Sequence, residues 1–202
     1  MIFDPATTSL PDFYRHMVAC ITPRPIAWVS TISPGNVPNL APFSFFNGIG
    51  ANPPAVVFSP TNRRDGAPKD TLVNVEKSGQ FVVNVVSESC ARQMNGTSAE
   101  LDYEVSEFEL CGLTPIASVR VRPPRVKEAM VQMECELIEV VHVGSGPLAA
   151  NVVIGRIVLM HADESVLDAA GHIDPDKLAT VGRMGGNLYC KTHDRFELER
   201  PK

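Results

Sequence analysis

Proline crowds the start of this chain: eleven of its 17 prolines fall within the first 68 of 202 residues. A proline has no backbone N–H and its ring clashes with the preceding helical turn, so this region cannot be assembled from long helices. Strands joined by tight turns suit it better. The segment PIAWVSTI (25–32) is β-branched and aromatic, and it ends at Ser33-Pro34-Gly35-Asn36. Pro followed by Gly fills the centre of a type II turn, which predicts that VPNLAPFSFF returns as the partner strand. AVVFS (55–59) is a short apolar run of buried-strand type.

Further along, Asp70 to Ser78 carries apolar residues at 72, 73 and 75 and is followed by Gly79, the residue suited to stop a helix. QFVVNVV (80–86) reads as a central strand, and SESCARQMNG (87–96) as a short capped helix. From Val131 to Leu137 the odd positions are apolar, whereas Gln132, Glu134 and Glu136 face the other way. That period of two predicts a half-buried strand. VVIGRIVLMHA (152–162) is a second long strand with Gly155 at a bulge, and the segment around AGHIDPDKLATVGRMGGNLY is too rich in Gly and Asp for core. No repeat or linker divides the chain, so residues 1–202 read as a single, mainly β domain, a barrel of antiparallel strands with a few short helices.

Composition removes several function classes. A net charge of −5 argues against a nucleic-acid-coating surface. Charge, Pro or Gly interrupts every apolar run before it reaches membrane-span length. The amino-terminal MIFDPATTSLPDFYRHM has no basic region leading into an apolar stretch, so no secretory signal and a cytoplasmic location are expected. The five cysteines are odd in number and contain no CxxC pair, which suits reduced thiols packed mostly as small core residues. The histidines lack metal-ligand spacing, and no metal is expected. No serine occupies a GxSxG elbow. Gly144-Ser145-Gly146-Pro147-Leu148-Ala149 formally matches a dinucleotide fingerprint, but Pro147 and a β-branched run follow where a helix would have to start, so a hairpin loop is expected.

Two segments concentrate polar chemistry. Residues 59–71 (SPTNRRDGAPKDT) leave a buried strand and enter the helix at 70, bringing two arginines, a lysine and several hydroxyls to a helix amino end. Free N–H groups, the helix dipole and cations together make an anion site for which phosphate is the usual ligand. A solvated loop in which Asp70 or Thr71 caps the helix is the alternative. In the second segment Ser30, Thr31, Asn39 and Ser44 lie on apolar strands, and Pro42 would free backbone groups from the ladder to meet a planar ligand. Ordinary structural hydroxyls are the competing account.

Taken together, ITPRPIAWVSTISPGNVPNLAPFSFFNGIGANPPAVVFSP, RRDGAPKDTLVNVEKSGQFVVNVV and VGRMGGNLY resemble the flavin-reductase-like family of FMN-binding split-barrel proteins. The resemblance implies a six-stranded antiparallel split β-barrel, a homodimer, and FMN at or near the subunit interface, with FAD in some members. By position, Ser30 and Thr31 would line the ribityl chain and flavin edge. Ala41, Pro42, Phe43 and Ser44 would hold the ring, largely through backbone groups, with Asn39 beside them. Ser59, Arg63, Lys69, Asp70 and Thr71 would surround the phosphate, with Asn74 one turn on. Arg183 to Tyr189 would pack near the flavin. His142 is read as structural, although some reductases place a histidine near the nicotinamide. The implied activity is that of an NAD(P)H-dependent flavin reductase serving a monooxygenase or other electron acceptor. The alternatives are a non-catalytic FMN-binding or electron-transfer module and a small barrel for an unrelated phosphate-bearing ligand. No catalytic acid or base is required, because the flavin carries the redox chemistry.

Overall fold

The computed structural model describes residues 1–201. Its first element, α1 (Leu10–Cys20), is one the proline count does not anticipate. Pro11 sits in the opening turn, where a missing N–H costs nothing, and Ser9 Oγ accepts from the Asp12 N–H at 3.3 Å. Four strands follow: β1 (Ala27–Ile32), β2 (Pro38–Phe43), β3 (Phe46–Ala51) and β4 (Pro54–Phe58). Next come α2 (Asp70–Ser78), closed by Gly79 in the left-handed conformation at φ 67°, and β5 (Gln80–Val85). A 3₁₀ turn leads into α3 (Ala91–Gly96), then α4 (Glu107–Leu110) and a ribbon of β6 (Pro115–Ile116) and β7 (Arg125–Val126). The long strands β8 (Val131–Val143) and β9 (Ala150–Ala162) form a hairpin whose loop is the Gly144–Ala149 segment. The chain finishes with α5 (Pro175–Leu178) and a ribbon of β10 (Val181–Arg183) and β11 (Tyr189–Lys191).

Seven strands make one antiparallel sheet in the order β2-β1-β5-β8-β9-β4-β3. β2 and β3 stand at opposite ends of that order, yet only Ser44 and Phe45 separate them in sequence. Because every step across the sheet is antiparallel, the two run in the same direction. The sheet therefore rolls until its ends meet on one interrupted strand. Counted as two arms of that strand, β2 and β3 reduce the total to the six of a split barrel. The expected return of VPNLAPFSFF as the partner of β1 holds over Pro38–Phe43; only its last residue, Phe46, belongs to the second arm, which pairs with β4. A change of partner requires a break, and the Ser59 N–H bonds the Phe45 carbonyl across it at 2.9 Å.

The turn between β1 and β2 is corrected as well. Asn36 donates its N–H to the Ser33 carbonyl, but the positive φ falls on Asn36 (65°) and not on Gly35. This excludes type II and matches a type I turn followed by a left-handed residue, a conformation asparagine tolerates well.

Inside the barrel, alternate residues of each strand converge: Ala27 and Val29, Phe43, Phe58, Phe81 and Val83, and Met133 and Cys135. Leu72 and Val75 of α2 join this core. Phe58 packs edge-on to Phe81 with centroids 5.2 Å apart. Gly155 lies against Phe81, where an added Cβ would stand 2.3 Å from Cζ, so close packing is its reason for being glycine. The register slips lie nearby, the second between Leu137, which is paired with Gly155, and Glu139. The barrel's outer surface is covered in part by a second core, in which Trp28 and Leu40 meet Met94, Phe108, Val126 and Val181. Val181 and Leu178 are buried, so the Gly- and Asp-rich tail does supply core residues. Among the cysteines only Cys90 and Cys135 are buried, and all five are free thiols.

The polar face of β8 departs most from expectation. Gln132 and Glu134 are buried, because the 117–126 segment folds across them. Glu134 accepts the peptide N–H groups of Val119 (2.8 Å), Arg120 (2.6 Å) and Val121 (3.1 Å), and pairs with His161 Nε2 at 2.6 Å.

Candidate functional site

Leu40 N–H donates to Glu107 Oε2 at 2.8 Å, away from the barrel. By alternation, the backbone groups of Pro38, Leu40 and Pro42 lie on the outer edge of β2, and those of Asn39, Ala41 and Phe43 face β1. Pro42 therefore does not free ladder groups as expected: β2 stays paired with β1 through Phe43, and Pro42 blocks the free edge instead. The unpaired backbone comes two residues later. At the strand break the N–H groups of Ser44 and Phe45 find no acceptor among the described residues.

Two adjoining clefts follow this edge, with Pro42 and Ser98 lining both. In the smaller, Asn39 and Ala41–Phe43 of β2 meet Arg63 and the Lys69–Thr71 start of α2, and the 97–101 segment and Glu107 close the far side. The larger, about 300 Å³, opens between Tyr14 and Val18 of α1, Arg24, Ser44, Asn95 and the 183–189 segment.

Eight of the sequence-derived candidates meet in the smaller cleft: Asn39, Ala41, Pro42, Phe43, Arg63, Lys69, Asp70 and Thr71. Their roles differ from a simple cation cradle. Arg63 Nη2 lies 2.7 Å from both Asp70 oxygens, so this pair is largely self-neutralised. Lys69 is the residue preceding α2 and has no carboxylate partner among the described residues. Neither Asp70 nor Thr71 caps the helix: no side chain bonds its amino end, which leaves the first-turn N–H groups free. Thr71 Oγ1 accepts from Asn39 Nδ2 at 3.0 Å, so its own proton remains available.

Ser30, Thr31 and Ser59 line neither cleft. Ser30 and Thr31 are fully buried. The Ser30 hydroxyl bonds the Pro124 carbonyl. Thr31 Oγ1 accepts from Asn39 (3.2 Å) and Asn74 (3.1 Å), and Tyr103 holds the Asn74 carbonyl oxygen at 2.6 Å. The Thr31 hydroxyl thus backs Asn39, whereas that of Ser30 is engaged with residues that line neither cleft. His142 sits at the distal end of β8 and lines neither cleft; its ring bonds Asn151 at 2.7 Å and lies 3.4 Å from Glu76.

The larger cleft contains what residue spacing did not reveal. Arg24 is buried without a carboxylate. Its guanidinium donates to the carbonyls of Val18 (2.8 Å), Ile21 (2.6 Å) and Met184 (2.9 Å), and Nε lies 3.3 Å from Ser44 Oγ. Burial lowers its pKa, Tyr14 opposes that shift and Arg183 adds to it. One side chain thus joins α1, the strand break and the 183–189 segment. Arg183 stacks on the Tyr189 ring at 4.5 Å, and the Tyr189 hydroxyl donates to Asn95 at 3.1 Å. Among the described residues no group of three or more His, Cys, Asp or Glu converges as a metal site, and no helix is long and apolar enough to cross a membrane.

Comparison with known proteins gives the family context. A family model described as flavin reductase like domain matches residues 18–182. Component B of nitrilotriacetate monooxygenase from Bacillus cereus superposes with a TM-score of 0.93 at 37% identity, covering 98% of each chain. The 2-nitrobenzoate 2-nitroreductase of Pseudomonas fluorescens gives 0.89 at 30% identity, covering 100% of this chain and 96% of that one. A Shewanella frigidimarina protein assigned as a flavin reductase with a split barrel domain gives 0.84 at 26% identity over the full length of both.

Proposed function

Because the chain belongs to the family of flavin reductase like domains, we propose that it is a flavoprotein oxidoreductase that holds FMN along the edge of β2 and takes electrons from NAD(P)H. The phosphate lies in the smaller cleft and the ring in the larger. The observation that carries this reading is the donor set at the start of α2. There an unpaired lysine, an uncapped helix end and the free hydroxyl proton of Thr71 face one small cavity, which fits a phosphate and would suit few neutral ligands. At the other end, the Ser44 and Phe45 N–H groups offer bonds to a polar ring edge, and Tyr14, Met94 and Tyr189 offer a surface for its face. FAD would have to carry its extra nucleotide beyond the clefts.

Bound flavin supplies the hydride and electron chemistry. The chain's residues bind the phosphate, orient the ring through backbone donors and keep Arg183 and Arg24 near its edge. Several features support the wider reading. A similar structure is a monooxygenase component, which favours a separate monooxygenase as electron acceptor. Ile49 on β3 and Ile138, Val141 and Val143 on β8 are exposed and apolar, which favours a homodimer through that side of the barrel. Free thiols favour a reducing, cytoplasmic setting.

The test is titration of FMN and riboflavin against wild type and Lys69→Ala. A charge-assisted bond is commonly worth roughly 1.5–3 kcal/mol, so FMN should weaken about 10- to 100-fold. Riboflavin, lacking the phosphate, should be unaffected. Equal losses for both ligands, or none for either, would show that the phosphate binds elsewhere. Steady-state NAD(P)H oxidation, with and without added flavin, then separates a reductase from a passive electron carrier.

A further inference from the structure

The smaller cleft contains more negative charge than an anion site needs. Lys69 and Arg63 face three carboxylates, those of Asp70, Glu100 and Glu107. Asp70 is bound by Arg63 and Glu100 is exposed to water. Glu107 differs from both. It is buried at the start of α4, its Oε2 accepts the Leu40 N–H at 2.8 Å, and it has no cationic partner among the described residues. A phosphate ester entering here carries close to two negative charges near neutral pH. It would bring those charges into a cavity where one carboxylate is already desolvated and uncompensated. Of two like charges sharing a site, the less well solvated one neutralises.

We propose that Glu107 takes up a proton when a phosphate-bearing ligand occupies the smaller cleft, so that the anion enters together with a proton. This inference rests on the placement of the FMN phosphate given above. The proton comes from solvent and adds to the Glu107 carboxylate, and no other bond is made or broken. The neutral carboxyl then presents an O–H donor in place of a negative charge. The free protein is already biased this way. Burial raises the Glu107 pKa above the usual carboxylate range, backbone N–H groups of Leu40 and Glu107 oppose the rise, and the charge of Asp70 adds to it. The charged and titratable groups around Glu107 are Asp70 of α2 and the Cys111 thiol, whose own pKa is raised by burial and then by Glu107, and across the same cleft Lys69, Arg63 and Glu100.

The experiment is calorimetric titration of FMN and of riboflavin in buffers of different ionisation enthalpy, for wild type and Glu107→Gln. Glutamine keeps an oxygen for the Leu40 N–H, so the fold should survive. Wild type should take up more protons with FMN than the variant does, whereas riboflavin should give the two proteins the same count. The phosphate's own ionisation is common to both proteins and cancels in the difference. Relative to the variant, wild-type FMN affinity should fall as pH rises through the linked window, by at most about tenfold per pH unit for one proton. Infrared difference spectra of wild type supply a readout that needs no variant: a protonated-carboxyl band should appear with FMN and not with riboflavin. Phosphate-selective binding with identical proton counts in the two proteins and no new carboxyl band would overturn the inference and leave the site reading intact. Equal affinity for FMN and riboflavin would overturn both.

Discussion

Replacing Glu134 by glutamine should cost the protein much of its stability without changing a single apolar contact. Glu134 is fully buried, and both oxygens are doubly used: Oε1 by the Val119 N–H and His161, Oε2 by the Arg120 and Val121 N–H groups. Glutamine retains one acceptor oxygen and places an NH₂ against donors on the other side. Two hydrogen bonds to a charge are lost, each worth roughly 1.5–3 kcal/mol, and buried N–H groups are left unpaired. A loss of about 3–5 kcal/mol follows, in the range seen when one partner of a buried pair is removed. At this chain length that corresponds to a fall in Tm of roughly 10 °C. Burial pushes the Glu134 pKa up, but its three peptide donors and His161 outweigh it and leave the carboxyl below its ordinary 4.5. A depressed pKa contributes stability that is complete above the unfolded value and is lost as pH falls through the folded one. The gap between wild type and variant should therefore be full near neutrality and narrow only below about pH 4.5. Equilibrium denaturation across pH, with amide exchange read at residues 119–121, measures both effects. A loss under about 1 kcal/mol with those amides still protected would show that the 117–126 segment is held by other contacts.

Two further outcomes test the packing and the frame of the site. Gly155→Ala should destabilise by roughly 1–3 kcal/mol, because its Cβ would fall 2.3 Å from the ring of the buried Phe81; a paired Phe81→Leu change should recover part of the loss in denaturant midpoint. Arg24→Lys keeps the charge but cannot span the carbonyls of Val18, Ile21 and Met184. It should speed amide exchange at the end of α1 and around Met184 and weaken riboflavin as much as FMN, since it affects the ring end only; selective weakening of FMN would contradict the assignment of the two clefts.

Local sequence determined what depends on neighbours along the chain. Pro and Gly spacing marked the β1–β2 turn, Gly79 marked the end of α2, and Pro147 marked a hairpin where a nucleotide-binding helix would otherwise start, because each of these acts through its own backbone dihedrals. The gathering of hydroxyls and cations in residues 59–71 was visible for the same reason, since a strand leading into a helix end is a local event. Tertiary structure decided what depends on coverage. Alternation along β8 shows that Glu134 faces away from the barrel, but only the 117–126 segment crossing over it makes that face interior. Ser30, Thr31 and Asn39 have identical credentials in sequence and all three are buried, yet only Asn39 lines the cleft, with the Thr31 hydroxyl behind it and that of Ser30 turned to the Pro124 carbonyl. The break at Ser44 and Phe45 exists because the rolled sheet gives one strand two partners at opposite ends, and no window of residues around position 44 contains that information. Arg24 and Glu107 were silent for a like reason: a lone arginine or glutamate in sequence reads as solvated, and what makes each of them chemically distinctive is the absence of an opposite charge in a place that only the fold encloses.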